Sequence, residues 1–253
     1  MNSNYDSLWE AAWNEAASHG PGFRSRYALI LRQLQFYGPG SRLIDVGAGR
    51  GHLLLALAAH YPKLQLDAVE GAPDSVEALR SLHQISKVFS SLDGSPERQA
   101  PPSSYSSVIC SEVLEHVADH EALLDTLIEL LEPSGRLFLT VPLRQDLWTQ
   151  VDDAVGHKRR YEYGELAQMC RDRGLRVEED LALGFPFYNN YYRMLGRRSP
   201  QETSKAAQKS LLHRPLASLL TLLFRLENHV STPLGGRGMI VARKPNYVMP
   251  RSG

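Results

Sequence analysis

Cysteine is scarce: Cys110 and Cys170 are the only two in 253 residues, and no C-x-x-C pair occurs. Two cysteines cannot form a disulfide framework, so a reducing compartment, the cytoplasm, is expected. Neither charge is in excess, with 28 Lys and Arg against 28 Asp and Glu. Dedicated duplex-DNA binding rests on surplus basic residues, so no DNA partner is expected. Long apolar runs are missing as well. The greasiest stretch, PLASLLTLLF at Pro215–Phe224, is about half of the ~20 residues that cross a bilayer, and no transmembrane segment is expected. The N-terminal MNSNYDSLWEAAWNEAASHG lacks a basic segment followed by an apolar core, which argues against a signal peptide. There is no internal repeat and no low-complexity tract. What remains, 43% hydrophobic and 22% charged residues, is a soluble globular mixture.

Periodicity then separates helices from strands. Helices are predicted over 7–18, 23–36, 52–61, 75–82, 118–131 and 163–173, and strands over 42–46, 64–70, 87–90, 106–111, 135–141, 175–183 and 238–243. Strands alternating with helices imply a doubly wound α/β sheet, mostly parallel, with ligands at the C-terminal strand ends. The expectation is one domain over 1–253 on a seven-stranded sheet, Rossmann-like and with an antiparallel last strand by its resemblance to known α/β families. Residues 1–37 would form an N-terminal helical cap. Residues 184–236, too long for an ordinary connection, would form a lid insertion before the last strand and include a Leu-rich helix.

The strongest motif is Leu43-Ile44-Asp45-Val46-Gly47-Ala48-Gly49-Arg50-Gly51, between a predicted strand and a predicted helix. Glycines there allow a sharp turn and close approach of a ligand to bare backbone. The helix that follows presents free N–H groups and a positive dipole end. Nineteen residues past Gly51, Glu70 closes the second strand, where a carboxylate can accept both hydrogen bonds of a ribose diol. Nicotinamide folds usually carry G-x-G-x-x-G. Here the spacing is G-x-G-x-G behind an acid, Asp45, which would repel a pyrophosphate and suits the cationic S-adenosylmethionine.

The order of motifs resembles the class I S-adenosylmethionine-dependent methyltransferases. It runs from D-V-G-A-G-R-G through Ala68-Val69-Glu70, Asp93 and Val113-Leu114-Glu115-His116-Val117 to the L-E-P-S-G-R-L-F-L-T-V-P segment at Leu131–Pro142. The resemblance covers about 25–184 and 237–244. It implies that Asp45 receives the methionine ammonium and that Gly47, Ala48 and Gly49 pass beneath the cofactor. Glu70 and Gly71 would hold the ribose, Asp93 and Gly94 would lie near the adenine, and Ser111 and Glu112 would flank the sulfonium. A surface Asp-Gly turn would explain Asp93 and Gly94 equally well.

If a helix begins directly after the fourth strand, Glu112, Glu115 and His116 stand at i, i+3 and i+4 on one face. His157, in V-G-H-K-R-R-Y after the fifth strand, would reach the same rim. This set resembles the E-x-x-E-H segment and later His of two metal-assisted groups, the ubiquinone-biosynthesis O-methyltransferases and the small-RNA 3′-terminal 2′-O-methyltransferases. The resemblance implies Glu112, Glu115, His116 and His157 as ligands of a divalent ion (Mg, Mn, Fe or Zn), which would acidify a bound hydroxyl. The metal-free reading makes His116 or His157 the general base or a pocket wall.

On the acceptor side, Trp9, Trp13, His19, Arg24 and Tyr27 could wall a pocket, or the tryptophans simply pin the cap, and Arg24 and Arg26 could meet an anionic acceptor or be solvated helix ends. Phe185, Phe187, Tyr188, Tyr191 and Tyr192 could form an aromatic lid or pack on the sheet. Arg193, Arg197, Arg198, Lys205, Lys209 and Arg214, against Glu202 alone, make a basic stretch that could meet an anion or stay solvated. Leu216, Leu219, Leu220, Leu223 and Leu226 recur at helical spacing and could close a pocket, touch a membrane or form a homodimer face. The expected function is methyl transfer to an oxygen, hydroxyl or carboxylate, of a small-molecule acceptor. RNA or N-methylation, and a non-catalytic cofactor-binding partner protein, are the alternatives.

Overall fold

A computed structural model describes residues 20–90, 100–197 and 214–246. Its seven strands are β1 (Arg42–Val46), β2 (Gln65–Val69), β3 (Ile85–Phe89), β4 (Tyr105–Ser111), β5 (Leu131–Pro142), β6 (Arg176–Leu183) and β7 (Arg237–Arg243). They form one sheet in the order β3-β2-β1-β4-β5-β7-β6. The first five strands are parallel, and β7 runs antiparallel between β5 and β6. Strand order reverses between β1 and β4, so a crevice opens beyond Val46 and Ser111. The expected Rossmann-like sheet with an antiparallel last strand is the observed one.

Helices are α1 (Pro21–Tyr37), α2 (His52–His60), α3 (Pro73–Arg80), α4 (His120–Leu130), α5 (Gln150–Val155), α6 (Glu165–Asp172), α7 (Phe187–Leu195) and α8 (Arg214–Glu227). They bury an apolar stripe on each face of the sheet. One core joins Val108, Cys110, Leu124, Leu127 and Leu139; the other joins Leu29, Leu34, Leu54, Leu57 and Phe138. Helix α8 packs chiefly on α1 and also on α7. Asn228, just past its end, donates to the Ser25 carbonyl at 2.9 Å. The buried Arg237 stacks on Tyr188 at 4.1 Å and donates to Ser25 Oγ at 3.1 Å. Cap and insertion are thereby locked to each other and to β7.

Several segments depart from the sequence reading. The helix expected from 118 begins at His120, because the Asp119 side chain accepts from Ala122 N at 3.0 Å and fixes the N-terminus there. Strand β5 begins at Leu131 rather than 135. It carries an irregular register past Ser134, whose φ is 66°. Helix α5 was not foreseen; a capping box between Thr149 and Asp152 starts it. The expected helix at 7–18, with Trp9, Trp13 and His19, lies outside the described residues, as do Asp93 and Gly94.

Candidate active site

Asp45 lies one residue before the end of the buried run of β1, with 3% of its surface exposed. Burial pushes its carboxyl up to about 7; the Arg26 charge pulls it down and Glu70 pushes it up further. Beyond it the chain turns through Gly47 (φ 79°), Gly49 (φ 54°) and Gly51 (φ 83°). Gly47 N and Ala48 N donate to the Val69 carbonyl at 2.9 and 3.1 Å, tying the turn to the end of β2. A side chain at Gly47 would collide with Val113, whereas the space over Gly49 and Gly71 is open. Glu70 accepts from Gly49 N at 2.7 Å and from Ala72 N at 3.0 Å. One carboxylate therefore braces the glycine turn against the start of α3.

Across the switch point, Ser111 Oγ lies 2.9 Å from Thr140 Oγ1, and Glu112 N donates to the Thr140 carbonyl at 2.9 Å. Glu112 then adopts φ 56°, a left-handed conformation unusual for a side-chain-bearing residue. The expected helix over Glu112, Glu115 and His116 is not formed. Only a 3-10 turn, Leu114–His116, follows. The left-handed residue turns the chain out of β4 before any helix can start. Glu112 faces Arg26 at 3.6 Å, and its other oxygen is buried without a partner. Arg26 also stacks on Phe23 at 4.7 Å, and Tyr27 beside it is held protonated by burial.

Glu115 is fully buried, and neither carboxylate oxygen has a hydrogen-bond partner. Burial first, then the Glu112 charge, holds its carboxyl well above the usual range. His157 Nε2 lies 3.8 Å from Glu115 Oε1, and the His116 and His157 rings meet edge-on at 4.7 Å. Ligand atoms of Glu115, His116 and His157 lie within 4.8 Å of one another. Three of the four expected ligands therefore converge, while Glu112 stands beside Arg26. Burial, then the neighbouring His157, lowers the His116 pKa, so its ring is neutral near pH 7.

Sequence reasoning missed Asp152. Its fully buried carboxylate contacts His157 Nδ1 at 2.7 Å, accepts from Arg160 Nε at 2.9 Å and Thr149 N at 2.7 Å. Burial raises its pKa, but the hydrogen bond from His157 and the Arg160 charge outweigh that and hold it below the usual value. The carboxylate fixes the ring so that Nε2 points at Glu115. The signal was the T-x-x-D spacing at Thr149–Asp152. Of the expected aromatic lid, Tyr192 stacks on Arg160 at 4.7 Å and Tyr191 packs on Phe224 at 5.3 Å. Phe185 and Phe187 face outward.

A doubly wound sheet with an acid-glycine turn at its switch point and an acid closing β2 defines the class I S-adenosylmethionine-dependent methyltransferases. The family described as "Methyltransferase domain" matches residues 23–180, more than half of the chain, and the chain belongs to it. It is 29% identical over 178 residues to the "Ubiquinone biosynthesis O-methyltransferase" of Xylella fastidiosa (strain 9a5c), covering 62% of this chain and 70% of that one. It is 36% identical over 107 residues to the protein of the same name from Xanthomonas campestris pv. campestris (strain B100), covering 40% and 43%. In that second match the chain thus spans less than half of the relative's length. Among solved structures, the YcgJ protein of Bacillus subtilis superposes with a TM-score of 0.56 at 16% identity, covering 86% of this chain and 98% of that one. Phosphoethanolamine N-methyltransferase 2 of Haemonchus contortus, in complex with S-adenosyl-L-methionine, gives 0.55 at 16%, covering 85% and 52%. At such identities these two show the fold alone. No helix among the described residues is long and apolar enough to cross a membrane.

Proposed function

We propose that the chain moves the methyl group of S-adenosylmethionine to an oxygen, hydroxyl or carboxylate, of a small-molecule acceptor. One observation carries this reading: a buried Glu115 carboxylate with both oxygens unpartnered, facing two imidazoles. A buried anion with no donor is costly unless a cation or proton meets it. The donor set fits a divalent ion, held by Glu115, His116 and His157, while Glu112 pairs with Arg26. Such an ion would lower the pKa of a neighbouring hydroxyl, chemistry that serves an oxygen nucleophile. The names of the Xylella and Xanthomonas relatives support O-methylation.

The remaining roles fall to the chain itself. Asp45 would receive the methionine ammonium, and Gly47, Ala48 and Gly49 would lie against the cofactor where no side chain intrudes. Glu70, with Gly71, would bind the ribose while still bracing the Gly49 N–H. Ser111 and Glu112 would flank the sulfonium. Asp93 and Gly94 keep the adenine-side role that the motif order gives them. Asp152 would orient His157, and Tyr192 with Arg160 would couple the 184–236 lid to that histidine. The chain would act as one domain, with its 1–37 cap and lid covering the acceptor.

The test is S-adenosylhomocysteine formation from a fractionated metabolite extract, with the methylated product identified by mass, with and without EDTA. Activity that disappears with EDTA, returns with a divalent ion and yields a methyl ether or ester is the expected result. Methylation unaffected by EDTA would remove the ion and leave neutral His116 as the base. A methylated amine or RNA product would overturn the acceptor class. Cofactor binding without turnover would make the chain a partner protein.

A further inference from the structure

Helix α8 buries one side and leaves the other bare. Thr221, Phe224 and Glu227 are buried, whereas Leu216, Leu219, Leu222 and Leu226 are between 52% and 58% exposed. Those four leucines fall on one helical face at spacings of three, three and four. The apolar surface continues past the helix with Val230, at 60%, and Leu234, at 47%. Phe187, 48% exposed, starts the neighbouring α7 at the same end, where its N–H donates to the Glu227 carboxylate. Exposed leucines scattered singly mean little, but a contiguous row marks an interaction surface.

Charge selects the occupant. Glu227 is the only carboxylate among the described residues of 185–236, and it is buried, accepting the N–H groups of Phe187 and Tyr188. Arg197 and Arg225 are exposed on the same insertion, as is Arg193, which pairs with the exposed Asp146 at 3.7 Å. The outer side of α8 therefore offers leucines and Arg225 with no outward carboxylate of its own. A second copy docking about a two-fold axis would bring the same patch, which has no outward carboxylate, to meet the arginine. An anionic lipid surface matches both halves of the pattern, with apolar side chains entering the acyl boundary and arginines meeting headgroups.

We propose that this outer face of α8, with Arg225 and the flanking Val230 and Leu234, is a docking surface for an anionic membrane. The surface stands apart from the methyl-transfer reading, since vesicle binding requires no turnover. Full-length protein is sedimented with phosphatidylcholine vesicles containing about 30% phosphatidylglycerol, and with phosphatidylcholine alone. Binding is expected to the first and to be at least about tenfold weaker to the second. Leu219→Glu/Leu222→Glu should lower partitioning about tenfold or more. Arg225→Glu removes one positive charge and adds a negative one on the exposed face, without touching the core. It should lower binding roughly five- to twentyfold, most strongly at low salt. Unchanged S-adenosylhomocysteine binding by calorimetry shows that each variant is folded. No binding to either vesicle, equal binding to both, or retention by both variants would overturn the proposal. So would a dimer by light scattering that Leu219→Glu/Leu222→Glu disperses, since the face would then belong to a second copy.

Discussion

At the scale of single residues, the proposed ammonium-binding role of Asp45 predicts that cofactor affinity depends on pH. Its folded-state pKa, about 7, lies above the unfolded value of roughly 3.9. The unliganded protein therefore binds an extra proton between those limits. That stabilisation is complete below the unfolded pKa and is lost as pH rises through about 7. A methionine ammonium needs the ionised form, so binding must expel the proton. Affinity for S-adenosylhomocysteine should climb by up to about tenfold per pH unit below 7 and level off above it. Asp45→Asn should flatten this dependence and weaken binding at pH 8, measured by calorimetry across buffers. Gly47→Ala sets a methyl against Val113 at a backbone φ of 79°. Left-handed strain alone costs about 1–2 kcal/mol, so the protein should lose at least that much stability, read as a shift of the denaturant midpoint. Glu115→Gln keeps the shape and removes the charge. If Glu115 holds an ion, Mn²⁺ affinity followed by paramagnetic relaxation should drop by about tenfold or more.

At the scale of elements, most strands and helices were legible because burial imposes a period on sequence. Leu43, Ile44 and Val46 in β1, and Leu124, Leu127 and Leu130 in α4, repeat as their faces require. Two pieces of the site escaped that logic. Helix α5 has six residues, and the one it buries is Asp152 rather than an apolar side chain, so it leaves no hydrophobic period. The segment after β4 carried helical spacing, but a left-handed Glu112 prevents the helix, and backbone conformation of that kind has no sequence signal outside glycine. The convergence of Glu115 and His116 with His157 was nevertheless expected, because β4 and β5 are adjacent and parallel. Asp152 serves both as cap and as ion-pair partner of the buried Arg160. Asp152→Asn should therefore destabilise the protein by about 3 kcal/mol, read as a shift of the denaturant midpoint. Thr149→Ala loses only the cap and should cost about 1 kcal/mol.

At the scale of the whole molecule, three strands are tied by one buried carboxylate. Asp67 of β2 has no exposed surface and accepts from Arg42 of β1 at 2.6 Å and Tyr105 of β4 at 2.9 Å. Removing the arginine leaves that anion without its charge partner. Arg42→Met should cost about 3 kcal/mol and lower Tm by roughly 6–12 °C. Tyr105→Phe, which removes one hydrogen bond, should cost about 1 kcal/mol. The acid, its arginine and the tyrosine are all visible in sequence, but their meeting depends on register between strands far apart in the chain.

The position of the insertion has its own consequence. Leu183 and Arg237 are register partners across β6 and β7, so the 53 residues of 184–236 begin and end at adjacent points of one ladder. Topologically they are an overgrown hairpin loop. Closing a loop of that length rather than a four-residue one costs only about 2 kcal/mol in chain entropy, because the cost grows with the logarithm of length. The chain entropy of the sheet that carries Asp45 and Glu70 is thus little affected by the length of this loop. If the loop is the proposed acceptor lid, descendants of such a gene could lengthen, shorten or exchange it and change the acceptor while inheriting the same methyl-donor site.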